Sequence, residues 1–120
     1  MSAPAGDDPA WSAAAKAALA RTDARLARRY DAGFPADRLV ALRARAVDAT
    51  VCAAWRRCLP GDAPLALFAV GGYGRGELFP CSDIDLLVLA ETAAQRAHEA
   101  ALARFIALLW DAGLEASHAV

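Results

Sequence analysis

Lysine is nearly absent from this 120-residue chain: Lys16 stands alone beside twelve arginines. The 13 basic residues are balanced by 14 acidic ones, for a formal net charge of −1. No whole-chain charge therefore favours nucleic acid, and any site for a polyanion has to be local. No apolar stretch approaches the ~20 residues that a membrane span needs, so a transmembrane segment is excluded. Residues 1–9 have neither a basic n-region nor an apolar core, and do not read as a secretory signal. Cysteine is scarce too. Cys52, Cys58 and Cys81 are odd in number and lack CxxC spacing, which argues against a disulfide framework and for reduced thiols in a cytoplasmic protein. His98 and His118 lie too far apart in sequence to suggest zinc by spacing. The length allows one compact domain.

What is abundant is alanine, 33 residues of it, so much of the 58% hydrophobic content is small methyl groups. Alanine in such numbers signals helix. Residues 1–10 carry two prolines, a glycine and two aspartates without periodicity, and read as a disordered tail. A helical segment follows over residues 11–60. Leu19, Leu26 and Tyr30 are spaced for one face of a first helix, which Gly33-Phe34-Pro35 breaks. Leu39, Leu42, Val47, Val51, Ala54 and Trp55 recur at three- and four-residue steps in a second helix, Asp37 to Cys58, with Arg38, Arg43, Arg45 and Arg56 mostly off the stripe.

Over residues 61–120 the character changes. Residues 65–70, Leu-Ala-Leu-Phe-Ala-Val, form a short apolar run bounded by turn residues, as a buried strand does. Ile84, Leu86, Leu87, Val88 and Leu89 make a second strand of the same kind. Thr92 with Gln95 offers a capping box for a third helix running to about Ala112, and Leu114 to Val120 opens a third strand. The order is helix, helix, strand, glycine loop, strand, helix, strand. The last element stops short, so the core is expected to be incomplete at its C-terminus. A chain ending in this way leaves apolar strand surface uncovered and is expected to be marginally stable or to associate.

The chemistry concentrates between Val70 and Leu89. Gly71, Gly72, Gly74 and Gly76 strip a loop of side chains, so its backbone can approach a ligand closely and offer N–H groups to an anion. It is not a Walker A loop, because Gly76 is followed by Glu77 rather than Lys-Ser/Thr; nor is it a dinucleotide fingerprint, whose last glycine is also missing. Taken alone, such a loop is equally a tight turn between strands. Twelve residues after Gly71 comes Asp83-Ile84-Asp85 at the head of the second strand. Asp83 and Asp85 point to one face, ~6.5–7 Å apart along the backbone, and Ile84 points the other way. Two adjacent carboxylates repel each other and resist desolvation. A divalent cation relieves both costs, and Mg²⁺ prefers one or two carboxylates plus phosphate oxygens.

Gly71-Gly72, a spacer, Ser82 and Asp83-Ile84-Asp85 together resemble the signature of the DNA polymerase β-like nucleotidyltransferase superfamily. The longer string VGGYGRGELFPCSDIDLLVL is similar to the bifunctional uridylyltransferase/uridylyl-removing enzymes of bacterial nitrogen control. So are Arg45, Val47, Asp48 and Trp55 before it, and Leu108-Leu109-Trp110-Asp111, Gly113-Leu114-Glu115 and His118 after it. The resemblance implies an α+β fold, with N-terminal helices followed by a partial polymerase β-like core. It also implies transfer of UMP from UTP to a tyrosine of the PII signal protein, with no role for nucleic acid or membrane. Asp83 and Asp85 would be the catalytic pair that holds Mg²⁺. Gly71 and Gly72 would cradle the triphosphate, Ser82 would add a hydroxyl contact, and Arg75 would either meet phosphate charge or pair with Glu77. The superfamily usually adds a third carboxylate, for which Glu115 is the candidate in this chain. Tyr73, Phe79 and Glu77 are read as structural, and His118 as a strand residue rather than a ligand. In the family, uridylyl removal and glutamine sensing belong to His-Asp and ACT domains that these residues do not contain. Two rival readings stand beside this one: a nucleotide- or partner-binding module without turnover, and a nucleotidyltransferase with another acceptor, such as an aminoglycoside.

Overall fold

The computed structural model of the protein describes residues 7–76 and 84–119. Two long helices come first, α1 (Asp8–Asp31) and α2 (Ala36–Cys58). Pro9 starts α1, and Arg28 and Arg29 in its last turn face the negative end of the helix dipole. The reversal into α2 passes through Gly33 at φ +95°, with the Gly33 amide bonded to the Tyr30 carbonyl and the Phe34 amide to that of Arg29. α2 buries Leu39, Val47, Val51 and Ala54 on the expected stripe, with Leu42 and Trp55 half-buried at its edge. Two expectations fail on this pair. Tyr30 is 62% exposed rather than on the buried face of α1. Arg43 is buried although it is charged, because its Nε bonds Asp23 Oδ1 of α1 at 2.9 Å.

A three-stranded sheet follows, built from β1 (Leu65–Val70), β2 (Ile84–Ala90) and β3 (Ala116–Ala119). β2 lies in the middle, antiparallel to β1 and parallel to β3. Between β1 and β2 stands α3 (Gly71–Gly74), a single turn of helix; between β2 and β3 come α4 (Thr92–Ala97) and α5 (Glu99–Asp111). The architecture is thus α+β, consistent with a partial nucleotidyltransferase core. The third helix is split at His98 (φ −114°, ψ 17°), because only its second part has a core to face: α5 buries Phe105, Leu108 and Leu109, and α4 buries nothing. Thr92 is the first helical residue rather than the cap, which is Glu91.

The core lies between one face of the sheet and the helices. Ile84, Leu86 and Val88 are buried there with Val47, Ala54, Phe105 and Leu109. The rings of Trp55 and Phe105 meet edge to face with centroids 5.1 Å apart, a favoured aromatic geometry. The opposite face of the sheet is open: Phe68 is 48% exposed and Leu89 51%. The apolar runs of β1 and β2 read as buried strands, yet each is covered on one side only among the described residues.

Charge pairing across the helices sets where α1 begins. The Asp8 carboxylate accepts hydrogen bonds from Arg57 Nε at 2.9 Å, Arg104 Nε at 2.6 Å and Arg104 Nη2 at 2.8 Å. It therefore ties the start of α1 to the end of α2 and to α5, and the helix starts at Asp8 rather than near Trp11. The bonds from Arg104, aided by Arg57 and opposed by burial, hold the Asp8 carboxyl down at about 2, below the ordinary 3.8. A lowered carboxyl stabilises the fold above the unfolded-state value and loses that contribution as pH falls through the folded one. Asp8→Asn is therefore expected to melt earlier than wild type at pH 6, by about 1–2 kcal/mol, a value reduced for the solvent exposure of these side chains. The gap should close between about pH 4 and pH 2. Melting curves for both proteins across this range check it, and a gap of constant size would show that Asp8 does not titrate with folding.

Candidate active site at the end of the sheet

The register of the sheet puts the glycine turn and one of the two motif aspartates at the same place. Val70, the last residue of β1, pairs with Asp85 on β2, and Gly71 follows immediately. Gly71 has φ +64°, a conformation that side chains disfavour. A Cβ built on Gly71 would lie 2.9 Å from Asp85 Oδ2, closer than real side chains come. Glycine is thus required here twice, by the backbone and by the carboxylate beside it. A Cβ on Gly74 would lie 2.6 Å from the carbonyl oxygen of Ala69, so the turn is pressed against the strand that leads into it. The Arg75 amide closes the turn on the carbonyls of Gly71, at 3.2 Å, and Gly72, at 3.1 Å.

One side chain of the turn reaches inward. Tyr73 is 6% exposed, and its hydroxyl donates to Asp48 Oδ1 on α2 at 2.5 Å. Burial, with the Asp48 carboxylate as acceptor, pushes this phenol well above its ordinary range. From sequence alone Tyr73 reads as a packing residue and Asp48 as part of a helix outside the site. The available signal was chemical, since a buried tyrosine hydroxyl normally finds a partner.

Asp85 is half-buried, while its neighbour Ile84 is fully buried on the other side of β2, as alternation requires. Ser117 of β3 is its register partner across the sheet. Glu115, the candidate third carboxylate, accepts the Ile84 amide on its backbone carbonyl at 3.1 Å and belongs to the same alternation as Ser117. Arg75 is exposed at the end of the turn. Asp83 and Ser82, with Glu77 and Phe79, lie outside the described residues. His118 stands in the other alternation of β3 from Ser117, beside a cavity of about 470 Å³ floored by Val88, Leu102 and Phe105.

Among the described residues, arginines form ion pairs with Asp8 and Asp23. A partly exposed carboxylate at a sheet end, beside backbone bare of side chains, offers the hard oxygen donor that Mg²⁺ takes. No three His, Cys, Asp or Glu side chains converge among the described residues. No described helix is long and apolar enough to cross a membrane.

A family model described as "Putative nucleotidyltransferase DUF294" matches residues 20–118. A bifunctional uridylyltransferase/uridylyl-removing enzyme of Xanthomonas campestris pv. campestris (strain B100) is 64% identical over 113 residues, which is 94% of this chain and 13% of that relative. The enzyme of the same name from Xanthomonas oryzae pv. oryzae (strain MAFF 311018) is 58% identical over the same shares. That of Aromatoleum aromaticum is 49% identical over 88% of this chain. The chain therefore spans about an eighth of the length of the curated relatives it matches. No solved structure matches it.

Proposed function

The chain belongs to the DUF294 nucleotidyltransferase family, and from that premise we propose that it carries the metal-binding and triphosphate-binding part of a uridylyl transfer site. The reaction would move UMP from UTP to a tyrosine hydroxyl of the PII signal protein. The observation that supports this reading above all is the close approach of Gly71 and Asp85: glycine backbone and a carboxylate meet at one sheet end.

Gly71 and Gly72 would hold the phosphates against main-chain N–H groups, where no side chain stands between backbone and ligand. Asp85, together with Asp83, would hold Mg²⁺, and Ser82 and Arg75 would add polar contacts to the triphosphate. When bound, the ion offsets phosphate charge and screens the two aspartates from each other. The acceptor hydroxyl would lose its proton to solvent as its oxygen attacks the α-phosphorus, the bond from that phosphorus to the oxygen bridging to the β-phosphate would break, and pyrophosphate would leave with that electron pair. This sheet end would serve to hold the α-phosphorus in line with the acceptor. The names of the relatives, uridylyltransferase/uridylyl-removing enzyme, support a uridylyl group as the one transferred.

The test is incubation of the full-length protein with PII, Mg²⁺ and UTP labelled at the α-phosphorus. Label should appear on PII tyrosine and should vanish with a chelator. Tight binding of Mg·UTP without transfer to any acceptor would instead favour a nucleotide-binding module, and transfer to a small-molecule hydroxyl would replace the acceptor.

A further inference from the structure

We infer that the hydrogen bond from Tyr73 to Asp48 is a positioning device, which holds the glycine turn against Asp85 and so sets the rate of transfer rather than the stability of the fold. The inference rests on the reading that this turn and Asp85 act on a nucleoside triphosphate. α3 has four residues, three of them glycines, so Tyr73 provides its one side chain. Glycine backbone is the most freely moving kind, and a turn made of it needs an external anchor to keep one conformation. The contacts at its two ends, Gly71 on Asp85 and Gly74 on the Ala69 carbonyl, both press against β1 and β2. Only Tyr73 reaches the helical layer. Its ring joins the buried cluster that contains Val47 and Val51 of α2. Its hydroxyl then meets Asp48, an otherwise exposed residue of the same helix.

α2 is 23 residues long and buried along one face, so it serves as a fixed reference. A phenol bonded to an ionised carboxylate is a strong, short hydrogen bond. The chain thus runs from α2 through Asp48 and Tyr73 to the backbone of Gly71 and Gly72, and from there to the Asp85 carboxylate. Displacing the turn by a fraction of an ångström would move both the phosphate cradle and the space beside Oδ2.

The experiment compares Tyr73→Phe, which deletes only the donor, with Asp48→Ala, which deletes the acceptor, and Asp48→Asn, which keeps an accepting oxygen. Amide hydrogen exchange at Arg75 and Gly76, whose amides close the turn on the carbonyls of Gly71, Gly72 and Tyr73, should rise about tenfold in the first two variants, while amides of α5 keep their wild-type protection. In the full-length protein kcat should fall about tenfold, with KM for UTP within roughly threefold of wild type. Asp48→Asn should recover part of both effects. The double variant Tyr73→Phe/Asp48→Ala should be no slower than the worse single one. Unchanged exchange in the turn overturns the inference. So does wild-type kcat in Tyr73→Phe, which would leave the bond a mere partner for a buried hydroxyl. If the wild type itself transfers no nucleotide, the functional reading has failed and the claim about rate with it. The exchange data then still decide whether the pair holds the turn.

Discussion

Asp85→Asn is expected to reduce nucleotidyl transfer about a thousandfold or more, because an amide removes the negative charge that would bind the metal while keeping the side chain's size. Stability should hardly change. Asp85 is half-exposed, and its backbone pairing with Val70 and Ser117 is untouched by the substitution. Wild-type melting with lost transfer is thus the expected combination, and Mg²⁺-dependent binding of UTP should weaken in parallel. The measurement is the rate of label transfer to PII at saturating UTP, beside a thermal melt of the same preparation. A variant that keeps a tenth of the wild-type rate would remove Asp85 from the metal site. Asp83→Asn should behave in the same way, by the role that the motif resemblance gives it.

Gly71→Ala should be nearly as damaging, for a different reason. The left-handed backbone at φ +64° costs a side chain about 1–2 kcal/mol wherever it occurs. Here the new methyl would also come within 2.9 Å of Asp85 Oδ2, so the carboxylate or the end of β1 has to move. Misplacement on that scale is enough for a loss of about a hundredfold in kcat. Gly33→Ala is the control. Gly33 also has a positive φ, of +95°, but a Cβ there meets nothing within 4 Å, and the residue lies in the α1–α2 reversal. Both variants should lose stability, Gly71→Ala at least as much as Gly33→Ala because of the added clash, and only Gly71→Ala should lose transfer. Equal activity in the two would mean that the contact with Asp85 is incidental.

The open face of the sheet shows where reading the sequence met its boundary. Leu87 and Leu89 follow Asp85 at two-residue steps, and an unbroken apolar run looks the same whether one or both faces are covered. In the structure, Phe68 and Leu89 stay about half exposed while Val88 and Ile84 vanish into the core. Which strands pair, and what packs on each side, is not carried by the pattern of one strand. Similarly, Leu102, Phe105, Ile106 and Leu109 imply one continuous helix by spacing. The break at His98 falls where α4, which buries nothing, gives way to α5, which faces the core.

The sequence by itself determined the two amphipathic helices, the positions of the strands and the glycine turn leading toward the paired aspartates. Each of these follows from local rules: three- and four-residue spacing, short apolar runs bounded by turn residues, and the conformational freedom of glycine. Only the tertiary structure decided that Val70 pairs with Asp85, that Asp8 clamps Arg57 and Arg104, and that Tyr73 meets Asp48. These partners lie 15 to 96 residues apart in the chain. A contact between distant residues depends on the sum of all the packing around it, and no local pattern encodes that sum.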